Sequence, residues 1–384
     1  RALIWGGQTP LPGGGFERFA LKAQTNVVGG TIALTSVNVE LDGNSAEGVL
    51  TFATDGRQTL QGTLAADALD LSPYVSTIRL LTTNEREWNR MPLAVDGLSG
   101  MDFDLRLSAA KITMSDAKLG RTAIAANLRG GKLVITIGES QAFGGVIKGS
   151  FGLAKSEQGA ELRSQLQFAD VDLDACMGAL FGLRRLEGKG SLGFNVEATG
   201  TTILGLTRTM TGNASLTANK GALTGLNVEQ LLRRLERRPL SGGSEIRTGR
   251  TPYDKLTVML KITQGTANVE DVSLEGASLR LGMAGSASIP LRDLDLKGTA
   301  SLISASSGDG QGGFDLPFVV QGPWDDPIVL PDPQILIRRS GAAAPLLDAV
   351  KDRRTRDAVR SAIEKMTGGK LNPPAAETAT EPTR

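Results

Sequence analysis

Histidine is absent from all 384 residues of this chain, and cysteine occurs once, as Cys176. The first absence excludes Ser-His-Asp and Cys-His nucleophile arrangements, His-ligated zinc and the usual charge switch near neutral pH. The second excludes an intrachain disulfide and a cysteine-rich metal cluster. Aromatic residues are scarce, with three Trp, two Tyr and eleven Phe, so a packed core must rest on Leu, Val, Ile and Ala. Neither sign of charge is in surplus. Lys and Arg number 42 against 41 Asp and Glu, which argues against a dedicated nucleic-acid binder. No stretch reaches the roughly 20 apolar residues that a membrane-crossing helix needs. The chain starts at Arg1 rather than Met, so it reads as a fragment or processed product, with any targeting signal or anchor upstream. These absences leave a non-catalytic binding or scaffold protein, or an enzyme working with carboxylates, Lys, Ser or Tyr alone.

Glycine, by contrast, is plentiful at 48 residues, and the dominant pattern is alternation of period two. Met101, Phe103, Leu105 and Leu107 alternate with Asp102, Asp104, Arg106 and Ser108. Leu192, Phe194 and Val196 alternate with Ser191, Gly193, Asn195 and Glu197. Leu256, Val258, Leu260 and Ile262 follow the rule with Met259 the one exception, and Leu279, Leu281 and Met283 repeat it. In a strand, residues i and i+2 share a face, so each segment is a ribbon with one apolar side and one wet side. Further strands are expected at Thr31–Leu41, Val49–Ala53, Lys132–Ile137, Leu162–Ala169 and Asp293–Thr299. Asp42-Gly43-Asn44 and Thr54-Asp55-Gly56 separate some of them at hairpin spacing.

Helices are few. Asn227 with Gln230 resembles a capping box, and Leu231, Leu232 and Leu235 supply a helical stripe before Pro239. Ser72-Pro73 opens a short turn through Ile78, and Asp174 caps a similar one through Leu180. A C-terminal amphipathic helix is expected over about Ala343–Met366, within a segment 341–369, before a disordered tail, 370–384. The body divides into an irregular segment, 1–18, and two β-rich blocks, 19–183 and 184–340. The entries into short helices at Ser72, Asp174 and Asn227, about 102 and then 54 residues apart, read as a degenerate repeat of several strands and then a helix. Ser304–Gly313 reads as a flexible loop. The fold class is therefore mainly β: an elongated, repetitive antiparallel sheet curled into a groove or solenoid. So many half-apolar strands need cover that so few helices cannot supply. The sheet folds over on itself as a sandwich, barrel or solenoid, or an apolar ligand fills it.

Motifs for chemistry do not survive inspection. Asp170, Asp172 and Asp174 mimic a calcium loop, but its sixth position is Ala175 and its twelfth Phe181. Ser115-Asp116-Ala117-Lys118 fits the Ser-x-x-Lys acylase pattern without a Lys-Thr-Gly partner. Gly310 to Gly313 lacks the context of a phosphate cradle. Cys176 reads as a small buried hydrophobe. A carboxylate-based glycan hydrolase needs two convergent acids, and no pair stands out. No enzyme and no cofactor are expected.

Three segments together resemble the AsmA family of Gram-negative envelope proteins. They are Gly188–Phe194 continuing to Glu197–Gly200, then Gly212–Gly225 with Asn227–Leu232, and the closing Leu316–Pro327 with Pro331-Asp332. Leu69-Asp70-Leu71-Ser72-Pro73-Tyr74 is similar to an element that precedes the helices of these proteins. The likeness covers about 19–366. It implies a periplasmic protein held in the inner membrane by an N-terminal helix, with a role in outer-membrane assembly. It also implies kinship with bridge-like lipid transfer proteins, whose sheets form grooves for phospholipid tails.

On that resemblance, the expected partner is phospholipid, with the inner and the outer membrane beyond it. The lipid-facing residues would be Met101, Phe103, Leu105, Leu107, Leu192, Phe194, Val196, Leu256, Val258, Leu260, Ile262, Leu279, Leu281 and Met283. An acyl chain costs about 0.8 kcal/mol per exposed CH₂, which such a face would offset along its length. Arg233, Arg234, Arg237 and Arg238, then Arg247 and Arg250, read either as contacts for anionic headgroups or as a solvated face beside Glu229 and Glu236. Arg353, Arg354, Arg356 and Arg360 surround the apolar positions of the C-terminal helix, which would lie on a membrane, close the groove's end or pack on the last strands. The competing reading is a closed β-scaffold that assists outer-membrane protein assembly without lipid cargo.

Overall fold

The alternating ribbons become strands of one sheet. The computed structural model describes residues 17–72, 82–84, 87–93, 95–114, 117–181, 184–237, 249–303 and 314–331. Strands β1 (Phe19–Val28), β2 (Thr31–Leu41), β3 (Asn44–Ala53) and β4 (Thr59–Asp70) come first. A separate small pair follows, β5 (Thr82–Asn84) and β6 (Glu87–Trp88). Then come β7 (Asp102–Met114), β8 (Ala117–Arg129), β9 (Lys132–Ala142), β10 (Gly145–Ser156) and β11 (Gly159–Asp172). Helix α1 (Leu173–Phe181) leads to β12 (Leu186–Gly200), α2 (Ile203–Thr209) to β13 (Thr211–Thr224), and α3 (Val228–Arg237) to β14 (Arg250–Thr263). The described chain ends with β15 (Thr266–Glu275), β16 (Leu279–Ser288), β17 (Asp293–Leu302), β18 (Asp315–Pro323) and β19 (Ile328–Pro331).

Apart from β5 and β6, these strands form a single seventeen-stranded sheet. They pair strictly in sequence order, with β1 and β19 as edges, and the sheet is not closed into a barrel. The expected fold, a long repetitive antiparallel sheet with few helices, is what the chain adopts. One joint differs: β4 and β7 run parallel, from Thr59 opposite Asp102 to Asp70 opposite Thr113. A hairpin cannot join parallel neighbours, so the chain returns from the end of β4 to the start of β7 through residues 71–101. The sheet also runs without a break through the division drawn at 183/184, because β11 and β12 pair from Ala160–Gly200 to Asp172–Lys189.

Local chemistry explains the turns. Between β2 and β3, Asp42 (φ 51°) and Gly43 (φ 87°) both take the left-handed backbone of a two-residue hairpin loop. Helix α3 starts as anticipated, with Asn227 Oδ1 accepting from the Gln230 N–H at 2.9 Å. Helix α1 corrects the expected cap. Asp172, not Asp174, accepts from the Ala175 N–H at 2.9 Å, because β11 runs on to Asp172 and puts Asp174 inside the first turn. Helix α2 was not anticipated, and Thr202 caps it through the Gly205 N–H at 2.9 Å. The turn after Ser72, the loop Ser304–Gly313, Pro239 and the C-terminal helix and tail lie outside the described residues.

Because the strands meander, their ends define two rims. The first rim carries the β2–β3 turn, α1, α3 and the β15–β16 turn; the second carries α2 and the β14–β15, β16–β17 and β18–β19 turns. The main core lies towards the first rim. There Leu173 and Cys176 of α1 and Val228, Leu232 and Leu235 of α3 pack on Leu256, Leu274, Leu279, Ala300 and Leu302 of the sheet. A smaller cluster joins Leu69, Ala109 and Ile112.

Candidate functional site

Strand register carries one apolar line across nearly the whole sheet. From β2 to β19 it passes through Val37, Gly48, Leu64, Leu107, Ile124, Ile137, Gly149 and Leu166. It continues through Phe194, Ala214, Leu260, Val269, Gly285, Leu296, Val320 and Val329. Sixteen strands contribute, and none places a polar side chain in the line. A second line nearer the second rim runs from Leu34 through Leu50, Leu105, Ile135, Phe151, Val196 and Ile262 to Leu294, with Ser164 its one polar side chain. Period-two side-chain direction puts both lines on one face. The other face presents exposed Arg106, Lys255, Lys261 and Arg280 to water. Met259, the exception to the alternation, points to that wet face and is 47 % exposed.

Cover on the apolar face is uneven. Near the first rim α1 and α3 seal it, and Leu232 is fully buried. Along the middle no second layer lies over it among the described residues, and Leu64, Leu107, Ile124, Ile137, Leu166, Phe194 and Leu260 are half-buried. Phe151 is 37 % exposed although it stands in the second apolar line. Phe194 meets Phe168 edge to face, with ring centroids 6.0 Å apart.

All fourteen anticipated lipid-facing positions fall at the parity of this face, and burial divides them. Met101, Phe103, Leu105, Leu107, Phe194, Val196, Val258, Leu260 and Met283 are half-buried. Leu192, Leu256, Ile262, Leu279 and Leu281 are buried by the chain's own atoms, so they serve the core rather than an open surface. Sequence reading passed over Phe151, Ile124 and Leu166. The missed signal in β10 is Ile147-x-Gly149-x-Phe151-x-Leu153, where glycine takes an apolar place.

The first rim also carries charge. Arg233 pairs with Glu229 at 2.8 Å, and Arg250 with Glu187 at 2.6 Å. Ser278 Oγ donates to Glu229 at 2.7 Å, and that bond, with Arg233, holds the Glu229 carboxyl below the usual range. Arg234 and Arg237 lie in the same helix, whereas Arg238, Arg247, Arg353, Arg354, Arg356 and Arg360 fall outside the described residues. Burial pushes the Cys176 thiol up to about 11, so it is a poor nucleophile. Burial likewise raises Tyr253 to about 12. Among the described residues no group of acids or cysteine has the arrangement of a metal site.

The sequence pattern of the AsmA family matches residues 18–272. This chain belongs to the AsmA family. No curated protein and no solved structure matches it. The AsmA match spans β1 to the middle of β15 and so holds most of the apolar line, while the segment from Leu316 to Asp332 lies beyond it. AsmA membership is consistent with an envelope-associated function. No helix among the described residues is long and apolar enough to cross a membrane, which says nothing of a β-barrel.

Proposed function

We propose that this AsmA-family chain binds or conducts phospholipid along the apolar face of its sheet, and in that way supports outer-membrane assembly and lipid homeostasis in the periplasm. The observation that carries the reading is the apolar line through sixteen strands, half-open along its middle. Hydrocarbon laid across it would shed water from the acyl chain and from side chains such as Phe151 and Phe194 together. The line holds no hydrogen-bonding side chain to fix a ligand at one point, which suits sliding better than retention. Headgroups would remain at the wet margin, where Arg233, Arg234 and Arg237 offer cationic contacts at the first rim. On this reading the protein is not an enzyme, and an N-terminal helix outside this chain anchors it in the inner membrane.

The test is organic-solvent extraction of the purified protein followed by mass spectrometry. Co-purifying phospholipid is expected, and Phe151→Asp together with Leu260→Asp should remove it. An extract of folded protein without phospholipid would reject the reading in favour of a scaffold without cargo.

A further inference from the structure

In the return crossover between β4 and β7, the described residues 87–93 and 95–99 make contacts along the second rim that reach strands far apart in the sheet. Trp88 Nε1 donates to the Ile289 carbonyl in the β16–β17 turn at 2.8 Å. Its ring stands edge-on to Trp324 of the β18–β19 turn, centroids 6.1 Å apart at 89°. The Arg292 guanidinium lies 5.5 Å from the centre of the Trp88 ring and 5.0 Å from that of Trp324. The next residue, Asn89, accepts through its backbone carbonyl from Leu204 N–H of α2 at 3.1 Å. Pro92 bridges to Thr202, and Leu93 N–H donates to the Thr201 carbonyl at 2.8 Å. Asp96 then meets Lys155 near the end of β10 at 2.6 Å.

Strand spacing makes these contacts informative. The β12–β13 connection and the β16–β17 turn lie four strands apart, about 19 Å along the sheet at ~4.8 Å per strand. Trp88 and Asn89 are consecutive, with Cα atoms about 3.8 Å apart, yet they touch both places. With the length of the indole and the two hydrogen bonds added, this one dipeptide bridges that whole stretch of rim. One segment of about a dozen residues therefore ties β10, the α2 connection and the last strands together.

We propose that residues 87–93 and 95–99 are a strap that holds the end of β10, the α2 connection and the turns of the last strands together and so restricts that end of the apolar face, with Trp88, Arg292 and Trp324 as its clasp. Its effect on an apolar occupant rests on the lipid reading above; its mechanical role does not. Releasing the clasp would free these connections from one another and open that end. The attachments are two aromatic contacts, the Trp88 indole hydrogen bond, a few backbone hydrogen bonds and one exposed ion pair, the profile of a segment that opens before the sheet does.

Two alterations test this in the whole chain. Trp88→Ala removes the clasp. Pro92→Cys with Thr202→Cys places thiols at an antiparallel bridge, where Cα separations of about 4.5–5.5 Å suit a disulfide. Hydrogen exchange is followed in residues 200–206 and 286–292, and in α3 as the distant reference. Uptake of a fluorescent phosphatidylcholine from phosphatidylcholine vesicles is followed in parallel. Trp88→Ala should raise exchange in the two second-rim segments about tenfold, leave α3 unchanged and speed uptake. The oxidised disulfide should slow uptake severalfold, with recovery on reduction. Because its oxidised and reduced forms are one protein, this variant decides the matter even if Trp88→Ala folds poorly: unchanged exchange at 286–292 on reduction overturns the strap, and equal uptake by the two forms overturns its gating. No uptake by any form defeats the lipid reading alone, and exchange then decides the strap.

Discussion

Tyr253 of β14 donates its hydroxyl to the Glu187 carbonyl of β12 at 2.8 Å, reaching across the intervening strand over Gly221. A Cβ on Gly221 would collide with both the tyrosine hydroxyl and that carbonyl. The glycine thus makes room for a ring that fastens three strands beside α3. Tyr253→Phe should cost about 1 kcal/mol, the net value of one hydrogen bond. Gly221→Ala should cost about 3 kcal/mol, because the ring must leave its site. Urea unfolding midpoints compare the two, and equal losses would refute the steric account.

The same tyrosine predicts an alkaline response. Burial raises its folded pKa to about 12, and the nearby Glu187 charge adds to the effect. Between the unfolded value near ~10 and that folded value, the unfolded chain releases the proton while the folded one keeps it. Stability is therefore fully present below about pH 10 and declines as pH rises towards 12. Tyr253→Phe should flatten this decline in chemical unfolding measured from pH 9 to 11.5. Cys176 acts in the same direction, so some slope should persist in the variant.

Charge placed on the two faces should have opposite consequences. Leu260 stands in the apolar line and is half-buried, whereas adjacent Lys261 is exposed on the wet face. Leu260→Asp sets a carboxylate against apolar neighbours without a partner and should cost about 2–4 kcal/mol. Phe194→Asp should behave alike. Lys261→Asp should stay within about 0.5 kcal/mol of the parent. Thermal unfolding of the three variants measures this, and a disruptive Lys261→Asp beside a neutral Leu260→Asp would reverse the face assignment.

Legibility in the sequence followed the clarity of alternation. Strand β2 was readable from end to end, because each half of Thr31–Leu41 alternates, the parity switching from Ile32 and Leu34 to Val37, Val39 and Leu41 across a bulge at Ser36. Strands β8 and β10 were not, since bulges shift their register near Thr122 and Lys148 and small residues fill apolar positions. Strand β1 carries a shift between Lys22 and Gln24, and its edge position leaves little apolar signature. Period two is the same in parallel and antiparallel strands, so the β4–β7 joint had no local signal. Nor did the strap, whose partners lie as far away as Ile289 and Trp324. Face membership of the anticipated apolar positions could be read from parity. Which of them stay half-open depends on where α1 and α3 come to rest, a tertiary fact.

The lid formed by α3 depends on a titratable contact. Glu229 accepts from Ser278 in the β15–β16 turn and from Arg233 one helical turn on, and these bonds depress its pKa. A depressed carboxyl contributes stability that is present above the unfolded pKa, near ~4.3, and lost as pH falls through the folded value. Glu229→Gln removes the charge while keeping an acceptor. At pH 7 it should be less stable than the parent by about 1 kcal/mol, because charge-assisted hydrogen bonds are stronger than neutral ones. By pH 3 the difference should shrink, since the parent carboxyl is then being protonated as well. Ser278→Ala should lower stability at pH 7 and weaken the same pH dependence, as it removes the bond that contributes most to the depression. Urea unfolding of the three proteins between pH 3 and 7 provides the comparison. A gap between Glu229→Gln and parent that stays constant with pH would mean that shape, not charge, seats α3 on the apolar face.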